Sequence, residues 1–206
     1  MADLLLLSRW LGAIPAFLAN RTPVASQPAV HVAFVPTASS IYPDQAWVDL
    51  DRQSLRDLGY RVSDLDIKSH PDPVGLLDAS DAVFVSGGNV FHLLEVMRRT
   101  GFDRLLTDRV QSGLPYLGAS AGACVVGADI EPLGLLDDPS EAGALESTAG
   151  LGWIDEVIVP HADGIVSGRA VVDDLRARYA DRFTLRMLAD DQALLVSGDH
   201  RSVIPS

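Results

Sequence analysis

Short apolar runs alternate with longer segments of helical periodicity along most of the chain, and this alternation restricts the folds that it can adopt. The clearest strand is Asp81–Ser86 (DAVFVS), a continuous apolar run typical of strands that are covered on both faces. Gln45–Gly59 instead carries apolar residues at helical spacing and ends in a glycine. This β-α-β-α order predicts an α/β fold, a three-layer αβα domain with a mostly parallel sheet.

The same patterns assign most of the remaining segments. The other predicted strands are Leu4–Ser8, His31–Pro36, Arg61–Ile67, Leu114–Ala119, Val157–Pro160, Leu185–Leu188, Ala193–Ser197 and Ser202–Ile204. The other predicted helices are Leu11–Asn20 with Pro15 in its first turn, Val90–Thr100, Asp103–Gly113, one that starts within Ala121–Gly127, and Gly168–Ala180. Residues 128–152 show little periodicity, so we expect a long loop, which in a compact domain is usually functional or mobile.

Length and charge bound the class of protein. The 206 residues fit one domain, which we expect to span 1–206. A net charge of −12 disfavours nucleic acids and anionic membranes as partners. The single cysteine, Cys124, excludes an internal disulfide and favours a reducing compartment. Because the N-terminus lacks the pattern of a signal peptide and no run is long enough to span a membrane, we expect a cytoplasmic protein.

The strongest chemical signal is the motif Gly118-Ala119-Ser120-Ala121-Gly122, which follows a predicted strand and opens a helix. This G-x-S-x-G pattern is typical of a nucleophile elbow, in which a sharp turn lifts the serine hydroxyl above the sheet. The amide of Ala121 then points toward the oxyanion that forms during attack. The motif therefore predicts Ser120 as a nucleophile.

Two further signals follow other predicted strands. Gly87 and Gly88 form a turn whose amides can approach a ligand closely, so Gly88 is the predicted second oxyanion donor. His161 ends the strand Val157–Pro160. Histidine is the usual base for a serine nucleophile, and of the five histidines only His161 lies at the carboxyl end of a predicted strand.

These segments together resemble the peptidase E family of aspartyl dipeptidases. The resemblance is carried by Leu-Leu-Leu-Leu-Ser near the start, Phe-Val-Pro-Thr-Ala at 34–38, Val-Ser-Gly-Gly-Asn-Val-Phe-His-Leu-Leu at 85–94, Tyr-Leu-Gly-Ala-Ser-Ala-Gly-Ala at 116–123 and Val-Pro-His at 159–161. It implies a glutamine-amidotransferase-like fold, a serine peptidase with a Ser-His-acid triad, and cleavage after an N-terminal aspartate. It implies no metal or cofactor, and a small peptide as the substrate.

The acid of the triad is less well determined than the other two residues. The family glutamate lies in a Leu-x-Glu-Gly segment, and the resemblance aligns Asp190 with it. Aspartate is one methylene shorter, so Asp191 and then Asp163 remain alternatives. If this stretch were a strand, Asp190 and Asp191 would face opposite sides, and only one could serve.

Substrate-binding residues are also implied by the resemblance. Arg169 is the nearest match to an arginine that holds the substrate aspartate, and its fork suits a carboxylate. Asn89 or an acid of 128–152 is the candidate partner for the substrate amine. A cyanophycinase-like hydrolase, an esterase and an inactive binding module remain alternative functions, and a homodimer is left open.

Overall fold

The structure is a computed structural model that describes residues 2–19, 21 and 29–206. The strands are β1 (Asp3–Leu7), β2 (His31–Val35), β3 (Arg61–Asp64), β4 (Ala82–Val85), β5 (Tyr116–Ala119), β6 (Val157–Val159), β7 (Leu185–Met187), β8 (Gln192–Ser197) and β9 (His200–Pro205). The helices are α1 (Ile14–Ala19), α2 (Ala46–Asp57), α3 (Pro73–Asp78), α4 (Val90–Thr100), α5 (Phe102–Gln111), α6 (Ala121–Cys124) and α7 (Arg169–Tyr179). Within the described ranges, none of these helices has the length and apolar character needed to cross a membrane.

The main sheet has seven strands in the order β3-β2-β4-β5-β1-β8-β9. The strands from β3 to β1 pair in parallel, and the antiparallel hairpin β8–β9 extends the sheet beyond β1. The mostly parallel α/β sheet that the sequence predicts is therefore confirmed. β4 and β5 are neighbours, so the turns that follow these two strands lie side by side at one edge.

Side chains of the central strands alternate between two hydrophobic cores, one on each face of the sheet. In β1, Leu4 and Leu6 belong to one core, and Leu5 and Leu7 belong to the other. The first core is covered by α3, α4, α5 and α7, and the second by α1 and α2. This arrangement is the predicted three-layer domain, and it holds the carboxyl ends of the strands in fixed positions.

Several elements differ from the sequence-based prediction. Helix α1 begins at Ile14, with Pro15 in its first turn as expected, and the predicted last residue, Asn20, lies outside the described residues. Helix α3 was not predicted, although Asp72 caps it by accepting a hydrogen bond from the Gly75 amide at 2.8 Å. β6 and β7 pair with each other in a separate two-stranded sheet.

The segment 128–152, which we expected to be an irregular loop, contains two short 3-10 helices, Glu131–Leu135 and Pro139–Ala142. It packs against the residues after α6, because the Leu151 amide donates to the Val125 carbonyl at 2.8 Å. The segment therefore forms a defined wall near the end of β5.

Candidate active site

Ser120 occupies a strained turn between β5 and α6. Its backbone has φ 49° and ψ −111°, a conformation that non-glycine residues rarely adopt and that is typical of a nucleophile elbow. The turn needs glycine at position 122, because a Cβ there would lie 2.1 Å from the carbonyl oxygen of Val85 on the neighbouring β4. Close packing of β4 against the elbow thus fixes the direction of the Ser120 hydroxyl.

Ser120, His161 and Asp190 form a chain of side-chain hydrogen bonds. The Ser120 Oγ lies 3.2 Å from His161 Nε2, and His161 Nδ1 lies 2.6 Å from Asp190 Oδ1. The Asp190 side chain is only 8% exposed, so its interaction with the imidazole is weakly screened. This geometry allows His161 to take the serine proton while the carboxylate orients the ring and stabilises its charged form.

His161 is held in place through the end of β1. Its backbone adopts a left-handed conformation with φ 56°, and its amide donates to the Ser8 Oγ at 2.8 Å. The buried Ser8 hydroxyl in turn donates to the Leu188 carbonyl at 3.2 Å. Ser8 therefore joins three segments of the chain and fixes the position of the histidine backbone.

The three candidate acids occupy different positions around His161. Asp190 contacts the imidazole, whereas Asp191 is exposed in the same turn between β7 and β8. Asp163 Oδ2 accepts a hydrogen bond from the Asp190 amide at 3.0 Å, which lowers the pKa of Asp163. The structure thus brings Asp190 to the histidine and uses Asp163 to hold the Asp190 backbone.

The turn after β4 contacts the elbow. A Cβ added to Gly87 would lie 3.2 Å from the Ser120 Cβ, which shows how closely the two turns approach. Gly88 has φ 142°, and a Cβ there would lie 2.4 Å from the Ala38 carbonyl group. Among the described residues, no hydrogen-bond acceptor pairs with the amides of Gly88 and Ala121. Both predicted oxyanion donors are therefore free to bind an oxyanion at Ser120.

Two cavities meet at Ser120 and His161. The large cavity has a volume of about 560 Å³ and includes Gly87 and Gly88 in its lining. The small cavity has a volume of about 110 Å³ and includes Ala121. A substrate whose carbonyl carbon lies above the Ser120 hydroxyl can therefore extend in both directions.

The model of peptidase family S51 matches residues 13–204. The chain belongs to this family. It is 28% identical over 198 residues to an uncharacterized peptidase of Listeria innocua, covering 95% of this chain and 93% of that protein. It is 43% identical over 91 residues to peptidase E of Streptomyces coelicolor, covering 44% of this chain and 36% of that protein. As an S51 member, the chain is a serine-type peptidase.

Solved structures give the same result for the fold. A crystal structure of a candidate peptidase E protein from Listeria monocytogenes superposes with a TM-score of 0.88 at 25% identity, covering 100% of this chain and 99% of that chain. A peptidase from an acI-B1 Actinobacterium superposes with a TM-score of 0.73 at 22% identity, covering 100% and 88%. The second likeness concerns the fold alone.

Each cavity of the S51 peptidase is lined by one half-buried carboxylate. Burial raises the pKa of Asp137 in the small cavity to about 6, although its Oδ2 accepts a hydrogen bond from the Val90 amide at 2.9 Å. Burial raises the pKa of Asp51 in the large cavity to about 7, against the opposing effect of Arg9. Acidic residues with a strongly shifted pKa often lie in functional sites.

Cys124 also lines the small cavity, below the elbow. Burial raises the pKa of its thiol well above the usual value, and the nearby Asp137 adds to this effect. The thiol therefore stays protonated at neutral pH and is a poor nucleophile. Ser120 is the better placed nucleophile, because its hydroxyl faces both cavities and His161.

The two predicted substrate-binding residues lie outside both cavities of the S51 peptidase. Asn89 is fully buried as the N-cap of α4: its Oδ1 accepts from the His92 amide at 2.9 Å, and its Nδ2 donates to the Asp138 carbonyl at 2.8 Å. These bonds give Asn89 a capping role, and its predicted contact with substrate stays a prediction. Arg169 is exposed at the first residue of α7, next to Gly168, so its binding role stays a prediction.

Sequence reasoning missed the charged residues of the large cavity. Asp51 lies on the face of α2 that also carries Trp47, Leu50 and Ser54, all of which line the cavity. This face of α2 combines apolar and polar residues, whereas the buried face of the helix is apolar. The combination was the one sequence signal that could have indicated a binding surface on α2. Arg9 follows the predicted strand Leu4–Ser8, but only the fold shows that this strand ends beside Asp190 and His161.

Proposed function

We propose that this S51 peptidase is a serine dipeptidase that removes an N-terminal aspartate from Asp-Xaa substrates through an acyl-enzyme on Ser120. The observation that carries the proposal is the hydrogen-bonded chain Ser120–His161–Asp190 at the junction of the two cavities. The specificity rests on the resemblance to peptidase E, which implies cleavage after an N-terminal aspartate.

The proposed reaction has two steps. His161 Nε2 accepts the Ser120 proton as the Oγ attacks the carbonyl carbon, and the amides of Gly88 and Ala121 stabilise the oxyanion. The tetrahedral intermediate collapses when His161 returns this proton to the leaving nitrogen, which breaks the peptide bond and leaves an ester on Ser120. Water then attacks the ester, again with His161 as the base, and releases aspartate.

The small cavity suits the N-terminal residue. It encloses the Asp137 carboxylate, and a protonated α-amine bound there would compensate the cost of burying that charge. Asp137 belongs to the segment 128–152, from which an amine-binding acid was predicted. Arg169 lies two residues after Ser167, which lines the small cavity, and this nearness supports Arg169 as the residue that binds the substrate side chain.

Hydrolysis of aspartyl p-nitroanilide, compared with the alanyl, glutamyl and leucyl compounds, tests this proposal. We expect turnover of the aspartyl compound alone, and a loss of about 10⁴-fold or more in Ser120→Ala. A fluorophosphonate probe provides a second measurement, since it should label the wild type but not Ser120→Ala.

Equal turnover of all four compounds would contradict the specificity and favour a broader hydrolase. A folded wild type that neither labels nor cleaves any of them would contradict the proposed mechanism and favour an inactive binding module.

A further inference from the structure

We propose that the large cavity is a binding site for the leaving amino acid, in which Arg9 binds its free carboxylate and Asp51 binds a basic side chain. The inference rests on the proposed dipeptidase function and deepens it. It defines the preferred substrates as true dipeptides that carry a basic residue at the second position.

Arg9 lies close to the place that the leaving amino acid must occupy during the reaction. The leaving nitrogen must lie beside His161 Nε2, because this atom protonates it. Arg9 Nη1 lies 3.8 Å from Asp190 Oδ2, while the other oxygen of that carboxylate contacts His161. The guanidinium therefore lies next to the triad, in the lining of the cavity that contains Ser120 and His161. In a dipeptide, the free carboxylate is separated from the leaving nitrogen by a single carbon atom.

The Arg9 side chain has donors available for a ligand. Its contact with Asp190 is longer than a hydrogen bond, and the side chain is 46% exposed. Its Cζ lies 4.9 Å from the centre of the Trp10 ring, which supports the guanidinium on one face. The Trp10 amide donates to the Asp190 carbonyl at 3.3 Å, so the segment is tied to the acid of the triad. A planar guanidinium group held in this way can form two parallel hydrogen bonds to a carboxylate.

Asp51 supplies a negative charge from α2 in the lining of the same cavity. Its carboxylate accepts no hydrogen bond from any residue that the structure describes, and burial raises its pKa to about 7. Trp47 and Leu50 flank it on α2, and they provide apolar surface for the methylene chain of a lysine or arginine. A cationic group at the end of that chain would satisfy the enclosed carboxylate.

The opposite charges also explain the orientation of a bound residue. Arg9 and Asp51 line the same cavity, and the positive charge of Arg9 opposes the rise in the pKa of Asp51. The carboxylate of the leaving residue pairs with Arg9 near the triad, and the side chain extends toward α2. An acidic second residue would instead place a negative charge against Asp51.

The first test compares a dipeptide with its C-terminal amide. Aspartyl-leucine and aspartyl-leucine amide differ only in the group that Arg9 would bind. We expect the wild type to prefer the free acid by about tenfold or more in kcat/KM, and Arg9→Ala to bring the ratio close to one. Arg9→Lys should give an intermediate ratio, because lysine keeps the charge but cannot form the two parallel hydrogen bonds of a guanidinium group. The exposed Arg104→Ala on α5 is the control, with the wild-type ratio expected.

The ratio separates binding from any effect of Arg9 on the triad, because a weakened Asp190 would slow both substrates equally. An unchanged ratio in Arg9→Ala would overturn the assignment. A loss of discrimination between aspartyl-leucine and asparaginyl-leucine with an unchanged acid-to-amide ratio would also overturn it, since Arg9 would then bind the N-terminal side chain.

The second test compares aspartyl-lysine with aspartyl-norleucine, whose side chain has similar length without the charge. We expect the wild type to prefer lysine by about tenfold, and Asp51→Asn to lose this preference. Asp57→Asn, an exposed position on the same helix, is the control. Equal kcat/KM for the two dipeptides in the wild type would overturn the role of Asp51.

The two proposals fail in different ways. If the N-terminal specificity is wrong, both ratios can be measured on whichever dipeptide is cleaved. If dipeptides are cleaved with ratios that do not respond to Arg9 and Asp51, only the leaving-residue site is overturned. If no dipeptide is cleaved by the folded protein, the dipeptidase function is overturned and this site with it.

Discussion

The two cavities at Ser120 share a nucleophile and a base but differ in size and charge. The small one has a volume of about 110 Å³ and encloses Asp137, and no lysine or arginine of the described part of the chain lines it. The large one has a volume of about 560 Å³ and contains both Arg9 and Asp51. A single acid suits a site for one amine, whereas two opposite charges suit a group that carries both signs.

The cavities are also built from different segments. Asp137 comes from the segment 128–152 and Ser167 from the loop before α7, whereas Arg9 follows β1 and Asp51 lies on α2. Ser120, His161 and Val166 line both cavities, but the charged residues differ, so the recognition of the N-terminal residue and of the leaving residue can change independently. The difference teaches that the net charge of −12 says little about the substrate, since local charges of both signs surround the nucleophile.

The largest expected effect concerns the catalytic triad, which serves both cavities. Asp190→Asn should reduce kcat by about 10³- to 10⁴-fold, because the amide cannot stabilise the charged imidazole. The loss should be the same for every substrate, with the acid-to-amide and lysine-to-norleucine ratios unchanged. Steady-state kinetics with the dipeptides described above would measure it.

Asp163→Asn is the matched variant for this prediction. Asp163 acts through the Asp190 amide, so its replacement should cost less than about tenfold. A larger loss in Asp163→Asn than in Asp190→Asn would reverse the assignment of the acid. A change in the acid-to-amide or the lysine-to-norleucine ratio in Asp190→Asn would show that Asp190 also takes part in binding the leaving residue.

A smaller effect should be confined to the small cavity. Asp137→Asn should lower kcat/KM for aspartyl p-nitroanilide by roughly 10- to 100-fold, because a charged acceptor of the α-amine is lost. Succinyl p-nitroanilide has the same side chain without the amine, and its turnover should be unaffected. The preference for the aspartyl over the succinyl compound is therefore the measurement.

Asp138→Asn is the control for Asp137, because the neighbouring acid is exposed. Since the pKa of Asp137 is raised to about 6, the same preference should also decline as the pH falls below 6. If Asp137→Asn slowed both compounds equally, the amine site would lie elsewhere and the functional contrast between the cavities would be broken.

Much of the fold was predictable because its signals are local. The continuous apolar run at Asp81–Ser86 and the glycine-rich turns after β4 and β5 indicated buried parallel strands and a ligand-binding edge. The pairing of β6 with β7 was not predictable, because short strands carry no signal that identifies their partner. Helix α3 was missed despite the Asp72-Pro73 start, since its sequence shows little helical periodicity.

The site was predictable to the extent that its residues lie in motifs. Ser120 and His161 follow strand ends, and the resemblance to peptidase E placed Asp190 first among three acids. The capping role of Asn89 was not foreseen, although an asparagine before an apolar helix is a common N-cap. Arg9 and Asp51 were missed because distant segments meet only in the folded chain.

The smallest expected effect is on stability, and it is confined to the large cavity. In the folded protein the pKa of Asp51 is raised from 3.8 to about 7, so the native state binds a proton more tightly than the unfolded chain. The free energy of unfolding contributed by this group therefore falls as the pH rises through this interval and is constant above it. Asp51→Asn removes the cost of the buried charge, and we expect a melting temperature higher by about 2–4 °C at about pH 8.5 if that cost is about 1 kcal/mol.

The two melting temperatures should nearly coincide only below about pH 3.8, where the Asp51 carboxyl is protonated in both the folded and the unfolded chain, and at about pH 5 their difference should be smaller than at about pH 8.5. Asp57→Asn, at an exposed position on the same helix, should show no such dependence on pH. Thermal unfolding of the three proteins over this range measures the difference. A stabilisation that is equal at both pH values would mean that Asp51 is not enclosed as an ionised group, and the large cavity would lose one of the two charges that distinguish it from the small one.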